Sequence, residues 1–72
     1  MKAFYLSFSP DSRFLATGGT EAVRVWDVAT GKELWKSTDA WRQVAFSPDG
    51  KTLAAGSNGP ILLFDSTCWD PS

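Results

Sequence analysis

Phe8-Ser9-Pro10-Asp11 recurs as Phe46-Ser47-Pro48-Asp49, and this fixed offset of 38 residues is the feature that most restricts what the chain can become. The same offset carries Leu15-Ala16 onto Leu53-Ala54, Gly18 onto Gly56 and Asp27 onto Asp65. Conservative pairs fill the gaps: Leu6 with Val44, Arg13 with Lys51, Val23 with Ile61, Val25 with Leu63, and Trp26 with Phe64. No insertion is needed between residues 6 and 27. Self-similarity of this period marks architectures built from one supersecondary unit, each copy burying its apolar face against the next.

Each copy reads as short strands separated by turns. Residues 3–8 and 41–46 are apolar or aromatic-rich and are stopped by Ser-Pro-Asp. Proline fixes its own φ and supplies no ladder donor, while aspartate bonds its local backbone. Second strands are predicted over 13–17 and 51–55, ended by Gly18-Gly19 and Gly56-Ser57. Third strands are predicted over 22–26 and 60–64, where Val23, Val25 and Ile61 favour extended backbone. Ala29-Thr30-Gly31-Lys32 predicts a turn with positive φ at Gly31, followed by a fourth strand from Glu33 to Lys36. The fold class is therefore all-β, with two tandem antiparallel units, four strands in the first and an incomplete second. A small β-sandwich would account for the strands but not for the period.

Composition narrows the chemistry. The chain has 72 residues, 43% of them hydrophobic and 14% aromatic, which is too apolar for a disordered segment. A chain this short buries only about 60% of its extended surface. One cysteine, Cys68, closes no internal bridge. Seven basic and eight acidic residues are interspersed, so no positive face for nucleic acid is expected. The longest apolar run, Ile61 to Phe64, is far too short to span a membrane. General acid–base work near neutrality favours histidine, and there is none. Cys68 has neither a histidine to activate it nor a second cysteine for zinc. The glycine pairs lack the strand-to-helix context and lysine of a phosphate loop. No catalytic, cofactor or metal residues are assigned, and no enzyme activity is expected.

Phe-Ser-Pro-Asp, then Leu-Ala-x-Gly, then Val23-Arg24-Val25-Trp26-Asp27 resembles a WD40 repeat, the unit of a β-propeller. Val28 to Trp35 is similar to that family's passage from third to fourth strand, and Ile61 to Asp65 repeats the motif with phenylalanine in the Trp position. The resemblance implies a partial propeller over 1–72: a first blade at about 3–36, strands of a second at about 41–65, and an irregular tail at 66–72. WD40 blades commonly hold a buried polar set of histidine, aspartate, Ser/Thr and tryptophan. The matching positions in copy one are Thr20, Thr17 and Trp26, with the histidine position falling before Met1. In copy two they are Ser37, Asn58, Ala55 and Phe64, which cannot form the relay. A half-satisfied buried network is worse than an apolar one, and Phe64 against Ala55 reads as the apolar solution.

The structural candidates are thus Trp26, Thr17, Thr20, Phe64, Asp11, Asp49 and Gly31, the two aspartates as backbone caps. Trp26 and Phe64 are expected between adjacent blades, and Trp35 between blades or over a sheet edge. Trp41, Arg24 and Arg42 are the candidates for binding a partner, and Trp69 reads as a docking residue or a remnant. Trp26, Phe64, Val25 and Leu63 are expected to line apolar faces left open at the two ends of the unit. The resemblance implies a protein-interaction scaffold in the cytoplasm, its partner an unknown protein or neighbouring blades, with neither nucleic acid nor membrane as partner. The alternatives are an accessory propeller of a larger enzyme or signalling protein, and a self-assembling unit of three or four copies. A segment of a longer propeller is the preferred expectation.

Overall fold

A computed structural model describes residues 5–19, 21–40 and 42–70. The strands are β1 (Tyr5–Phe8), β2 (Phe14–Gly18), β3 (Val23–Asp27), β4 (Glu33–Ser37), β5 (Val44–Phe46), β6 (Thr52–Ala55) and β7 (Leu62–Asp65), followed by a 3₁₀ turn at Ser66–Cys68. They form a four-stranded sheet in the order β1-β2-β3-β4 and a three-stranded sheet in the order β5-β6-β7. Every pairing is antiparallel between chain neighbours. Neither sheet closes on itself.

The two Ser-Pro-Asp turns are built alike because the same two side chains, serine and aspartate, cap each of them. Ser9 Oγ donates to Asp11 Oδ1 (2.6 Å), and the Arg13 amide donates to the same oxygen (3.0 Å). The Phe14 amide donates to Ser9 Oγ (3.0 Å), closing the entry to β2. In the second copy Ser47 donates to Asp49 (2.5 Å), Lys51 N–H to Asp49 (2.9 Å) and Thr52 N–H to Ser47 Oγ (3.1 Å). Residue 12 of the first turn and residue 50 of the second have φ of +63° and +73°, respectively a serine and a glycine.

Strand ends follow local donors. The third strand of copy two starts at Leu62 rather than at residue 60, since Pro60 has no N–H and its carbonyl accepts from Ser57 Oγ (2.7 Å). β5 begins at Val44 instead of 41; residues 42 and 43 exchange bonds with Gly56 without forming regular strand. Between β3 and β4, Gly31 has φ +75° and its N–H donates to Asp27 O (2.7 Å), while Asp27 N–H returns to Lys32 O (2.8 Å). The register of β3 on β4 shifts between Val25 and Trp26.

Period-2 alternation then decides which side chains meet. Phe14 and Ala16 on β2, Val23 and Val25 on β3, and half-buried Trp35 on β4 face the second sheet, which answers with Val44, Leu53, Ala55, Leu62 and Phe64. Ala16, Val23, Val25 and Leu53 are wholly buried. Ala16, Ala40 and Ala55 are buried in the same core. At Gly18 the two halves of the chain approach closely, because a Cβ there would lie 2.0 Å from the Arg42 carbonyl oxygen.

Two expectations are corrected here. Val25 and Phe64 do not line open faces: Val25 is sealed between the sheets, and the Phe64 ring meets Trp35 edge-on at 4.7 Å between centroids. Nor is Trp69 a docking residue or remnant. After the Asp65-capped turn it folds inward, 4% exposed, with its ring 5.6 Å from Trp35 and 5.9 Å from Phe46. The physical reason is the apolar surface that Trp35 and Phe46 offer its ring on the interior side of the sheets.

Candidate interaction surfaces

Trp26 and Thr17 lie on the outward face of the first sheet, opposite the interior. Trp26 Nε1 donates to Thr17 Oγ1 (3.0 Å), a diagonal pair across β2 and β3 that gives the indole N–H a partner. Phe64 and Ala55 occupy the same diagonal of the second sheet and are turned into the interior. Thr20 and Trp41 fall outside the described residues.

Around Trp26 the outward face is apolar. Leu6 is 63% exposed and Phe8 58%, and a groove of about 350 Å³ is lined by Phe8, Leu15, Trp26, Asp27, Val28 and Gly31. The outward face of the second sheet carries Ala45, Ala54 and Leu63 with neighbouring Ile61; Leu63 is 69% exposed and Ile61 71%. Exposed apolar side chains gathered on one face, rather than scattered singly, mark protein-binding surfaces.

Both candidate arginines are engaged within the chain. Arg24 Nε lies 2.8 Å from Glu33 Oε1, bridging β3 to the start of β4. One Arg42 guanidinium nitrogen donates to Asn58 Oδ1 (3.3 Å), joining the start of copy two to its Ser57–Gly59 loop. Sequence reasoning passed over Ser7, whose hydroxyl accepts the Phe46 amide (3.1 Å) and so links the two sheets. It also passed over Ser9 and Ser47 as the hubs of their turns, although both recur at the offset of 38.

The carboxylates serve the backbone. The Ser9 hydroxyl, then the Arg13 amide, hold the Asp11 carboxyl below its usual range; the Ser47 hydroxyl and the Lys51 amide do the same for Asp49. Asp65 is lowered by the Thr67 amide it caps and then by the Thr67 hydroxyl. Exposed aspartates committed to turn donors are poor proton shuttles, because protonation would break the bonds that shape the turn. Among the described residues no group of three or more His, Cys, Asp or Glu is placed to hold a metal ion.

Residues 4–27 and 35–70 match the WD40 family, described as WD domain, G-beta repeat. The chain belongs to the WD40 repeat family. The first match covers β1–β3, and the second begins within β4 of the first sheet and runs through β5–β7. Among curated relatives, this WD40 chain is 39% identical to "Eukaryotic translation initiation factor 3 subunit I" of Scheffersomyces stipitis, over 83% of its own length and 20% of the relative's. The protein of the same name from Candida albicans is 38% identical over the same shares. "Ribosome biogenesis protein erb1" of Botryotinia fuckeliana is 37% identical over 92% of this chain and 10% of the relative. The chain thus spans about a fifth or less of the curated relatives it matches.

Proposed function

We propose that this chain is a non-catalytic WD40 scaffold segment that binds protein through the outward faces of its two sheets. The observation that carries the reading is the pair of apolar faces, one centred on Leu6, Phe8 and Trp26 and the other on Ile61 and Leu63. Arg24 and Arg42 order the blades from within and are candidate rim contacts, as is Trp41. A net charge of -1 and the pairing of Arg24 with Glu33 favour protein over nucleic acid. Relatives named as a translation initiation factor subunit and a ribosome biogenesis protein support membership of a multi-protein assembly, with the cytoplasm as its compartment. Among the described residues no helix is long and apolar enough to cross a membrane.

The test is sedimentation of the tagged full chain from cytosolic extract, with a photo-crosslinking residue at position 63 or 8. The scaffold reading expects the chain in heavy fractions that survive ribonuclease, with crosslinks to protein that depend on the labelled position. Release by ribonuclease, or migration as free chain without position-dependent crosslinks, refutes it.

A further inference from the structure

Two dipeptides in the chain put a side-chain carbonyl directly before a glycine amide: Asp49-Gly50 and Asn58-Gly59. Glycine has no Cβ to shield its amide nitrogen and leaves the backbone free to turn. That nitrogen can attack the carbonyl carbon of the preceding side chain and close a cyclic imide. The two dipeptides are alike in sequence and differ sharply in structure.

Asp49-Gly50 is held shut. Asp49 Oδ1 accepts from the Ser47 hydroxyl (2.5 Å) and from the Lys51 amide (2.9 Å). The Gly50 amide is itself committed to the Ser47 carbonyl (2.9 Å), and a Cβ on Gly50 would lie 3.2 Å from Pro10 Cδ. Those donors also keep the Asp49 carboxylate ionised, which makes it a poor electrophile.

Asn58-Gly59 is open. Both residues are exposed, and a Cβ on Gly59 would meet nothing within 4 Å. The pair lies between β6 and β7, outside both strand ladders, and the Gly59 amide donates to Ser57 Oγ (3.2 Å) rather than to a backbone carbonyl. Arg42 Nη2 donates to Asn58 Oδ1 (3.3 Å). A cationic donor therefore sits on the oxygen that takes up negative charge when the side-chain carbon is attacked, and donors so placed lower the barrier to attack at a carbonyl.

We propose that Asn58 is a site of spontaneous deamidation, promoted by the Arg42 guanidinium. Hydroxide removes the Gly59 amide proton, and the nitrogen forms a bond to Asn58 Cγ. The Cγ–Nδ2 bond breaks, and the side-chain nitrogen takes a proton from water and leaves as ammonia. Water then opens the imide at either carbonyl, giving aspartate or isoaspartate at position 58. The aspartate carboxylate stands where the amide stood, so the hydrogen bond from Arg42 becomes an ion pair and the net charge of -1 drops by one unit. The isoaspartate form inserts a methylene into the backbone of the Ser57–Gly59 loop. The reaction is independent of what the outward faces of the sheets bind.

The test incubates the purified full chain at neutral and mildly alkaline pH and follows the peptides around both dipeptides by mass spectrometry. Isoaspartyl methyltransferase labelling reports the rearranged product, and circular dichroism shows that each variant is folded. The peptide containing position 58 is expected to exchange ammonia for water, faster at the higher pH, while the Asp49-Gly50 peptide stays unlabelled over the same period. Gly59→Ala, whose methyl group has room, should lose the labelled product. Arg42→Ala should react about three- to tenfold more slowly, the worth of one hydrogen bond to the developing charge. In guanidinium chloride, where the fold is gone, wild type and Arg42→Ala should react at the same rate and Asp49-Gly50 should begin to label. An unreacted Asn58 in the folded chain, labelling at Asp49-Gly50 as fast as at Asn58-Gly59, or a folded Arg42→Ala that reacts as fast as wild type or faster overturns the proposal.

Discussion

Replacing Trp69 by alanine and by phenylalanine should give two very different results, because its ring and its N–H act in opposite directions. The ring is 4% exposed and belongs to the core cluster, meeting Trp35 at a tilt and Phe46 edge-on. Its Nε1 is buried and has no hydrogen-bond partner among the described residues. Truncation to alanine removes the ring contacts and leaves a cavity, at a cost of about 3–5 kcal/mol. A chain of this length is stabilised by only about 4–11 kcal/mol in total, taking roughly 0.05–0.15 kcal/mol per residue. Phenylalanine keeps one ring and deletes the orphan donor. The smaller cavity, ~40 Å³, costs about 1 kcal/mol plus a similar transfer term. Removing a buried unpaired N–H returns about 1–3 kcal/mol. The two nearly cancel. Thermal melts at one fixed protein concentration, chosen so that association contributes equally, should place Trp69→Phe within about 8 °C of wild type, at 4–8 °C per kcal/mol. Trp69→Ala should lose about 12–40 °C on the same scale or fail to fold. If phenylalanine destabilised as much as alanine, the indole N–H would be satisfied and the reasoning wrong. If alanine were neutral, the ring would not belong to the core.

Three further outcomes can be measured on the same scale. Gly18→Ala should be much more damaging than Gly31→Val, because the new Cβ meets the Arg42 carbonyl at 2.0 Å, whereas Gly31 has open space around it and only its φ of +75° to strain; about 1–2 kcal/mol is expected for Gly31→Val from chemical denaturation, and equal losses would refute the close approach. Thr17→Val should cost about 1 kcal/mol by leaving the Trp26 N–H without its 3.0 Å acceptor, visible as a shifted denaturation midpoint with an unchanged slope. Asp11 and Asp49 have folded-state pKa values lowered from 3.8, so their contribution is full above that value and is lost as pH falls through the lower folded one. The melting temperature should therefore hold down to about pH 5 and fall below about pH 4, and Asp11→Asn with Asp49→Asn, which keeps the acceptor oxygens, should flatten that fall.

The periodicity in the sequence was sufficient for the strands and their order, since each is bounded by residues whose backbone preferences act locally. Ser9-Pro10-Asp11 makes its own turn from bonds two to five residues apart, and Ser47-Pro48-Asp49 repeats it without help from the rest of the chain. Asp27 and Gly31 likewise close a turn whose donors and acceptors all lie within five residues. What the sequence could not assign was the side of each sheet that would be covered. Trp26 and Phe64 are equivalent in the repeat, yet one faces solvent and the other the interior, because stacking two copies in the same sense buries opposite faces of each. Likewise nothing local distinguishes Trp69 in an irregular tail from a surface aromatic; it is buried because Trp35 and Phe46, far from it in the chain, offer its ring an apolar surface. Local backbone chemistry fixed the elements; which apolar surface meets which was decided only by residues far apart in the chain competing to exclude water.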